Sequence, residues 1–312
     1  MSSPPPGAAP RRPTFLCIGA GKAGTTWLWD VLRQHPDVFL PGVKEVHYFN
    51  EIAYEGPDVR NPNFGRPDSW YLRFFEGAAP AQVCGEFSPS YLWSDTAPAR
   101  IHAFDPEMRI LVLLRDPVER LFSSYLFGQQ KGEIGKISFE EALRSVDYLL
   151  ARAPSSKALR RYIELFGRER VTVVFHESIR KDPEAVLHEV ERFIGVRPFV
   201  PVGFEERRNV TGASRFPTVT RLLMRNRIRL KRHGFEWAVD AGKRVGLAWP
   251  FRWFQAQVRP YRSRPRVDPA TEADLRRFFL EDVEGLEALL DVDLSRWKPR
   301  GAVSGRSAPA GR

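Results

Sequence analysis

A chain of 312 residues, 43% hydrophobic and 28% charged, is ordinary for a soluble globular protein and long enough to bury a full core without disulfide or metal staples. The formal charge of +10 points to anionic ligands, anionic polymers or a membrane surface, without choosing among them. No run of about 18 apolar residues is present and Met-Ser-Ser-Pro-Pro-Pro-Gly lacks an apolar signal core, which excludes a membrane span and leads us to expect a cytoplasmic protein.

Residues 1–13 are rich in Pro, Ala and Arg and read as a disordered tail. Phe15-Leu16-Cys17-Ile18 reads as a buried strand, followed by the glycine-rich loop Gly19–Gly24 and a helix from Thr25 to Gln34 that stops at His35-Pro36. Residues 50–69 look like loop, Val83-Cys84 like a short strand, and Asp95 like the cap of a helix reaching Phe104. Arg109–Leu114 is a second strong strand, and Asp116-Pro117 supplies a cap and a first-turn proline for the next helix. Further helices fit 138–150 and 156–166, and Val171–Phe175 is a third strand. Asp182-Pro183 opens a helix ending near Gly195, and the last helix spans 271–290. Strands alternating with helices predict an α/β fold with a parallel sheet covered on both faces. Cys17 and Cys84 read as small core residues, not as a disulfide or metal pair, and the six histidines show no ligand spacing.

Gly19-Ala20-Gly21-Lys22-Ala23-Gly24-Thr25-Thr26 lies between a strand and a helix, which favours an anion: glycines let backbone N–H groups approach, the helix N-terminus is partly positive, and Lys22, Thr25 and Thr26 add donors. Gly19, Gly21 and Gly24 match a dinucleotide fingerprint, with Glu45 where a ribose-binding acid would fall. A Walker A loop fails on spacing, because Ala23-Gly24 separate Lys22 from the threonines. A loop holding a sulfonate donor is the third reading, and this loop alone does not decide among them. The second motif is Leu113-Leu114-Arg115-Asp116-Pro117-Val118-Glu119-Arg120-Leu121-Phe122-Ser123-Ser124-Tyr125. It puts Arg115 at a strand's exit and Ser123 about two turns into a helix, a fork and a hydroxyl suited to a phosphate monoester.

Together these motifs, K-x-G-T-T and R-D-P-x-x-R-x-x-S, resemble the sulfotransferases that use 3'-phosphoadenosine 5'-phosphosulfate (PAPS), nearest to their carbohydrate (heparan-sulfate-type) branch and its bacterial relatives. Lys44-Glu45-Val46-His47-Tyr48-Phe49, Glu86-Phe87-Ser88-Pro89-Ser90-Tyr91 and Asp291-Val292-Asp293-Leu294-Ser295-Arg296-Trp297 are similar to further segments of that branch. The resemblance covers about residues 14–200 and 268–298. It implies a P-loop-like three-layer fold with a central parallel sheet flanked by helices, in one domain over 14–300 with a tail at 301–312. It implies that Lys22, Ala23, Gly24, Thr25 and Thr26 hold the 5'-phosphosulfate and that Arg115 and Ser123 hold the 3'-phosphate. Glu45 is then the general base, His47 orients the acceptor or shares the proton from the same side of an extended segment, and Lys22 stabilises the leaving oxygen. Arg215, after Asn209-Val210-Thr211-Gly212, is a further phosphate partner. No metal enters this scheme. The acceptor is a hydroxyl or amine of a carbohydrate, glycolipid or small natural product. Phe87 stands where the heparan-type branch often has an acceptor-side lysine, which puts a heparan-like polyanion in doubt.

Residues 215–266 are basic and aromatic, with Arg221, Arg225, Arg227, Arg229, Lys231 and Arg232 ahead of Trp237, Trp249, Phe251, Trp253 and Phe254. Three readings stay open: a peripheral contact with the inner face of the membrane through 220–266, an acceptor-binding wall, or a charged insertion whose aromatics pack on the domain. No nucleic-acid motif accompanies the charge, and no nucleic-acid partner is expected.

Overall fold

A computed structural model describes residues 11–51, 61–204, 212–214, 258–260 and 265–299, with isolated positions between 216 and 229. Five parallel strands form the main sheet: β1 (Phe15–Gly19), β2 (Val38–Phe39), β3 (Val83–Phe87), β4 (Arg109–Leu114) and β5 (Val171–Phe175), in the order β2-β3-β1-β4-β5. β1 is buried along its whole length and β4 at every position after Arg109, as continuous apolar runs at the centre of a parallel sheet must be. Gly85 of β3 faces Phe15 of β1; a Cβ there would lie 2.1 Å from the buried Phe15 ring. Helices flank the sheet, giving the P-loop-like architecture that the motifs imply.

In chain order the helices are α1 (Thr25–Leu32), α2 (Asp68–Leu72), α3 (Ala97–Phe104), α4 (Pro117–Lys131), α5 (Phe139–Ser145), α6 (Asp147–Ala151) and α7 (Ser156–Phe166). They continue with α8 (His176–Lys181), α9 (Pro183–Ile194), α10 (Pro269–Phe278) and α11 (Leu280–Leu290). The two Asp-Pro starts behave as read. Asp116 accepts from the N–H groups of Val118 and Glu119, Asp182 accepts from Ala185, and both helices end on a left-handed glycine, Gly132 and Gly195.

Several expectations need correction. Arg11 and Arg12 are held against the domain: the Arg11 guanidinium bonds the Gln82 carbonyl, and Arg12 donates to Phe104 O at 2.7 Å and covers its ring. β3 runs on to Phe87, because Cys84 through Phe87 are all buried. Asp95 does not cap α3; Ser94 Oγ accepts from Ala97 N–H at 3.0 Å, and Asp95 pairs with Arg161. The 138–150 helix breaks at Val146, where the backbone leaves the helical region, and the last helix breaks at Phe279, which is fully buried beside an exposed Phe278. α2, α8, β2 and an antiparallel pair of β6 (Gly212–Ser214) with β7 (Val258–Pro260) carry too few residues to announce themselves. Arg215 and nearly all of the basic aromatic segment lie outside the described residues.

The segment Asp291–Trp297 closes against the turn between β4 and α4. Trp297 is buried, packs edge-on against Phe175 and donates to Glu177, whose carboxylate also receives the Asp116 N–H. Arg276 ties the Trp297 carbonyl, at 3.0 Å, to the Asp116 carboxylate, at 3.1 Å.

Candidate active site

All five strands are parallel, so the loops after β1, β3, β4 and β5 leave one edge of the sheet, where ligands of open α/β sheets bind. The chain starts at central β1, builds outward through β2 and β3, then crosses to β4 and β5. That order places β3 between β1 and β2. A dinucleotide fold keeps its first two strands adjacent so that the acid after the second reaches the ribose, and the fingerprint reading of Gly19, Gly21, Gly24 and Glu45 falls with that adjacency.

The loop after β1 is held tightly. Ala20 N–H donates to Leu113 O of β4 at 2.7 Å, and Ala23 N–H returns to Ala20 O. Lys22 is left-handed at φ 67°, and Gly24 sits at φ 109°, where a Cβ would meet Ile179 at 2.9 Å. No side chain caps α1, so its first-turn N–H groups face the loop mouth without a side-chain partner. Thr25 is buried, and Thr26 Oγ1 accepts from Lys44 Nζ at 2.8 Å.

Arg115 leaves β4 beside this loop. Its Nη1 donates to Lys22 O at 3.2 Å and its Nη2 pairs with Glu119 at 2.6 Å, while Nε is buried with no acceptor among the described residues. Ser123, on α4, is also buried. Lys22 Nζ lies 4.0 Å from the centre of the Phe127 ring, and burial together with Arg115, Lys44 and Lys131 pushes its ammonium down to about 8. Burial, reinforced by Arg115, likewise holds His176 down at about 4, so this imidazole is neutral under the loop, with Nδ1 3.3 Å from Ala23 O.

Glu45 and His47 meet, though not as alternate residues of an extended segment. Both are left-handed, at φ 65° and 54°, and His47 Nε2 stands 3.6 Å from Glu45 Oε2. Lys44 flanks the pair 3.4 Å from Glu45, and Ser90 Oγ lies 2.8 Å from His47 Nδ1. Phe87, the departure from the heparan-type pattern, is buried edge-on against Phe15, so its ring serves the core.

The sulfotransferase domain family matches residues 12–216, well over half of the chain. The chain belongs to the sulfotransferase family. Among curated sulfotransferases, it is 30% identical over 214 residues to the human bifunctional heparan sulfate N-deacetylase/N-sulfotransferase 3, covering 60% of this chain and 23% of that protein. It is 29% identical over 197 residues to the human heparan sulfate glucosamine 3-O-sulfotransferase 6, covering 61% of this chain and 54% of that one. The chain thus spans about a quarter and about half of these two relatives. The crystal structure of a sulfotransferase from Alicyclobacillus acidocaldarius superposes with a TM-score of 0.65 at 26% identity, covering 92% of this chain and 99% of that one.

Sequence reasoning brought out Lys22 to Thr26, Glu45, His47, Arg115 and Ser123. It assigned no role to Lys44, Glu86, Ser88, Ser90, Lys131 or His176. Four of these lie inside quoted segments, but their part depends on contacts across the fold. Among the described residues no cluster of His, Cys, Asp and Glu could hold a metal ion.

Proposed function

We propose that this sulfotransferase moves a sulfuryl group from PAPS to a hydroxyl or amine of a carbohydrate-type acceptor, by in-line displacement with Glu45 as general base. The observation that carries this reading is the contact of Arg115 Nη1 with Lys22 O. It puts the β1 loop and the β4–α4 turn, two anion-holding elements, side by side. The loop and the α1 N-terminus suit the 5'-phosphosulfate, whereas Arg115 and Ser123 suit a separate 3'-phosphate. The buried Nε–H of Arg115 is a donor that a phosphate oxygen would satisfy.

In the reaction, the acceptor oxygen or nitrogen forms its bond to sulfur as the bond from sulfur to the 5'-phosphate oxygen breaks. The acceptor proton passes to the Glu45 carboxylate, and the bond's electron pair stays on the 5'-phosphate. Lys22 stabilises that growing charge. His47, 3.6 Å from Glu45 and in contact with Ser90, orients the base. The heparan sulfate enzymes among the relatives support a sugar acceptor.

The test is transfer from sulfur-labelled PAPS to polysaccharide, glycolipid and small hydroxylated acceptors. The reading expects label in one acceptor class with release of 3'-phosphoadenosine 5'-phosphate (PAP). It also expects Glu45→Gln to lower turnover by about 10²–10⁴ while PAP still binds. Full turnover in that variant would remove Glu45 as base, and no transfer to any class would remove the acceptor assignment.

A further inference from the structure

Glu45 and His47 sit in a backbone region that residues with a Cβ rarely occupy, and such a conformation persists where its surroundings over-determine it. Here the surroundings are hydrogen bonds to three N–H groups of the segment. Glu45 N–H donates to Phe87 O at 2.9 Å, His47 N–H to Ser88 Oγ at 3.0 Å, and Tyr48 N–H to Tyr91 Oη at 2.8 Å. Asn63 and Arg100 hold the carbonyls of Val46 and Tyr48 from the other side.

Behind the two hydroxyls stands one group. Ser88 Oγ and Tyr91 Oη both donate to Glu86, Tyr91 at 3.0 Å, and Tyr71 Oη adds a third bond at 2.9 Å. Glu86 is 1% exposed. The direction of these bonds follows from chemistry. A backbone N–H can only donate, so Ser88 and Tyr91 accept from the segment and place their own hydrogens on Glu86. Glu86 therefore accepts on both oxygens, the behaviour of a carboxylate. Burial pushes its carboxyl up, while the bonds from Ser88, Tyr71 and Tyr91 favour the ionised form.

We propose that Glu86 is the positioning residue of the active site: its buried carboxylate fixes the left-handed segment that aims Glu45 and His47, by two hydroxyl relays, through Ser88 and Tyr91, to the consecutive N–H groups of His47 and Tyr48. This rests on the reading of Glu45 as base. The sequence places Glu86 in the right segment, but nothing in the linear order shows that β3 carries the anchor for a loop some forty residues earlier.

Tyr71 supplies the internal control. It bonds the same carboxylate, yet no N–H of the 45–48 segment rests on its hydroxyl. The experiment compares Glu86→Gln, Ser88→Ala, Tyr91→Phe and Tyr71→Phe in the full chain, by kcat, KM for PAPS and for the acceptor, PAP affinity and thermal midpoint. The expected result is a kcat at least tenfold lower in the first three, with PAP affinity held within about twofold, and a loss under threefold in Tyr71→Phe. In the Glu45→Gln background, Tyr91→Phe should lower the residual rate no further, because the part it positions is already gone.

Equal losses in Tyr71→Phe and Tyr91→Phe would make the carboxylate a structural group and overturn the proposal, as would Glu86→Gln and Tyr91→Phe with kcat within twofold of the parent. Should Glu86→Gln not fold, the contrast between the two tyrosine variants decides. If Glu45→Gln itself kept full turnover, the base assignment would fail first. If Glu45→Gln is inactive while Ser88→Ala and Tyr91→Phe are fully active, the positioning role alone fails.

Discussion

Lys22 shares its surroundings with Arg115, Lys44 and Lys131, and burial there brings its ammonium down from the ordinary 10.5 to about 8. A site that crowds cations is unfavourable when empty and favourable when an anion fills it. The phosphosulfate end of a donor needs the protonated lysine. PAP affinity should therefore hold below pH 8 and weaken by roughly tenfold per unit above it, with proton uptake on binding. Stability has the opposite sign. Between about 8 and 10.5 the unfolded chain binds more protons at this position than the folded one, so the unliganded protein gains stability with rising pH as it loses affinity. Calorimetric titration from pH 6.5 to 9.5 checks the affinity, and Lys22→Ala should be weak and flat across that range. A parent affinity that does not change with pH would separate Lys22 from the anion.

At the scale of the element, the turn between β4 and α4 bears the most. Asp116 caps α4 through two N–H groups and pairs with Arg276, which also holds the Trp297 carbonyl. Asp116→Ala removes a cap and one of the two carboxylate partners of Arg276, which keeps Glu272, so a loss of about 1–2 kcal/mol is expected in denaturant unfolding, along with weaker PAP binding as Arg115 loses its support. A variant as stable as the parent would show that the C-terminal segment merely lies against this turn. The chemistry of this turn was readable in the sequence, because Asp-Pro states both a cap and a first helical position. β1 and β4 were readable because strands buried on both faces are uninterrupted apolar runs, and the half-buried edge strand β5 because its residues are β-branched and aromatic. The Glu45–His47 geometry was not. Alternation along a strand suggested a shared face, but the two residues meet through positive φ angles set by Ser88 and Tyr91, more than forty positions later. Asp95 misled for a similar reason: Ser94, one residue earlier, accepts the Ala97 N–H while Asp95 turns to Arg161 on α7.

At the scale of the whole molecule, sheet order separates two nucleotide folds that the glycine loop alone leaves open. With β3 between β1 and β2, the acid-bearing loop after β2 reaches the transfer point over the end of β3, where Phe87 O receives Glu45 N–H. With β4 on the other side of β1, Arg115 reaches the backbone of Lys22. The fold thus gathers the β1 loop, Arg115 and the Glu45 carboxylate at one sheet edge, the arrangement that the proposed donor calls for. The central claim is that Arg115 reads the 3'-phosphate, and paired calorimetry with PAP and adenosine 5'-phosphate tests it most directly. The parent protein should prefer PAP by at least tenfold, and Arg115→Ala should bring the two ligands to within about threefold by losing PAP affinity alone. Equal binding of both ligands by the parent, or a preference that survives in Arg115→Ala, would contradict it.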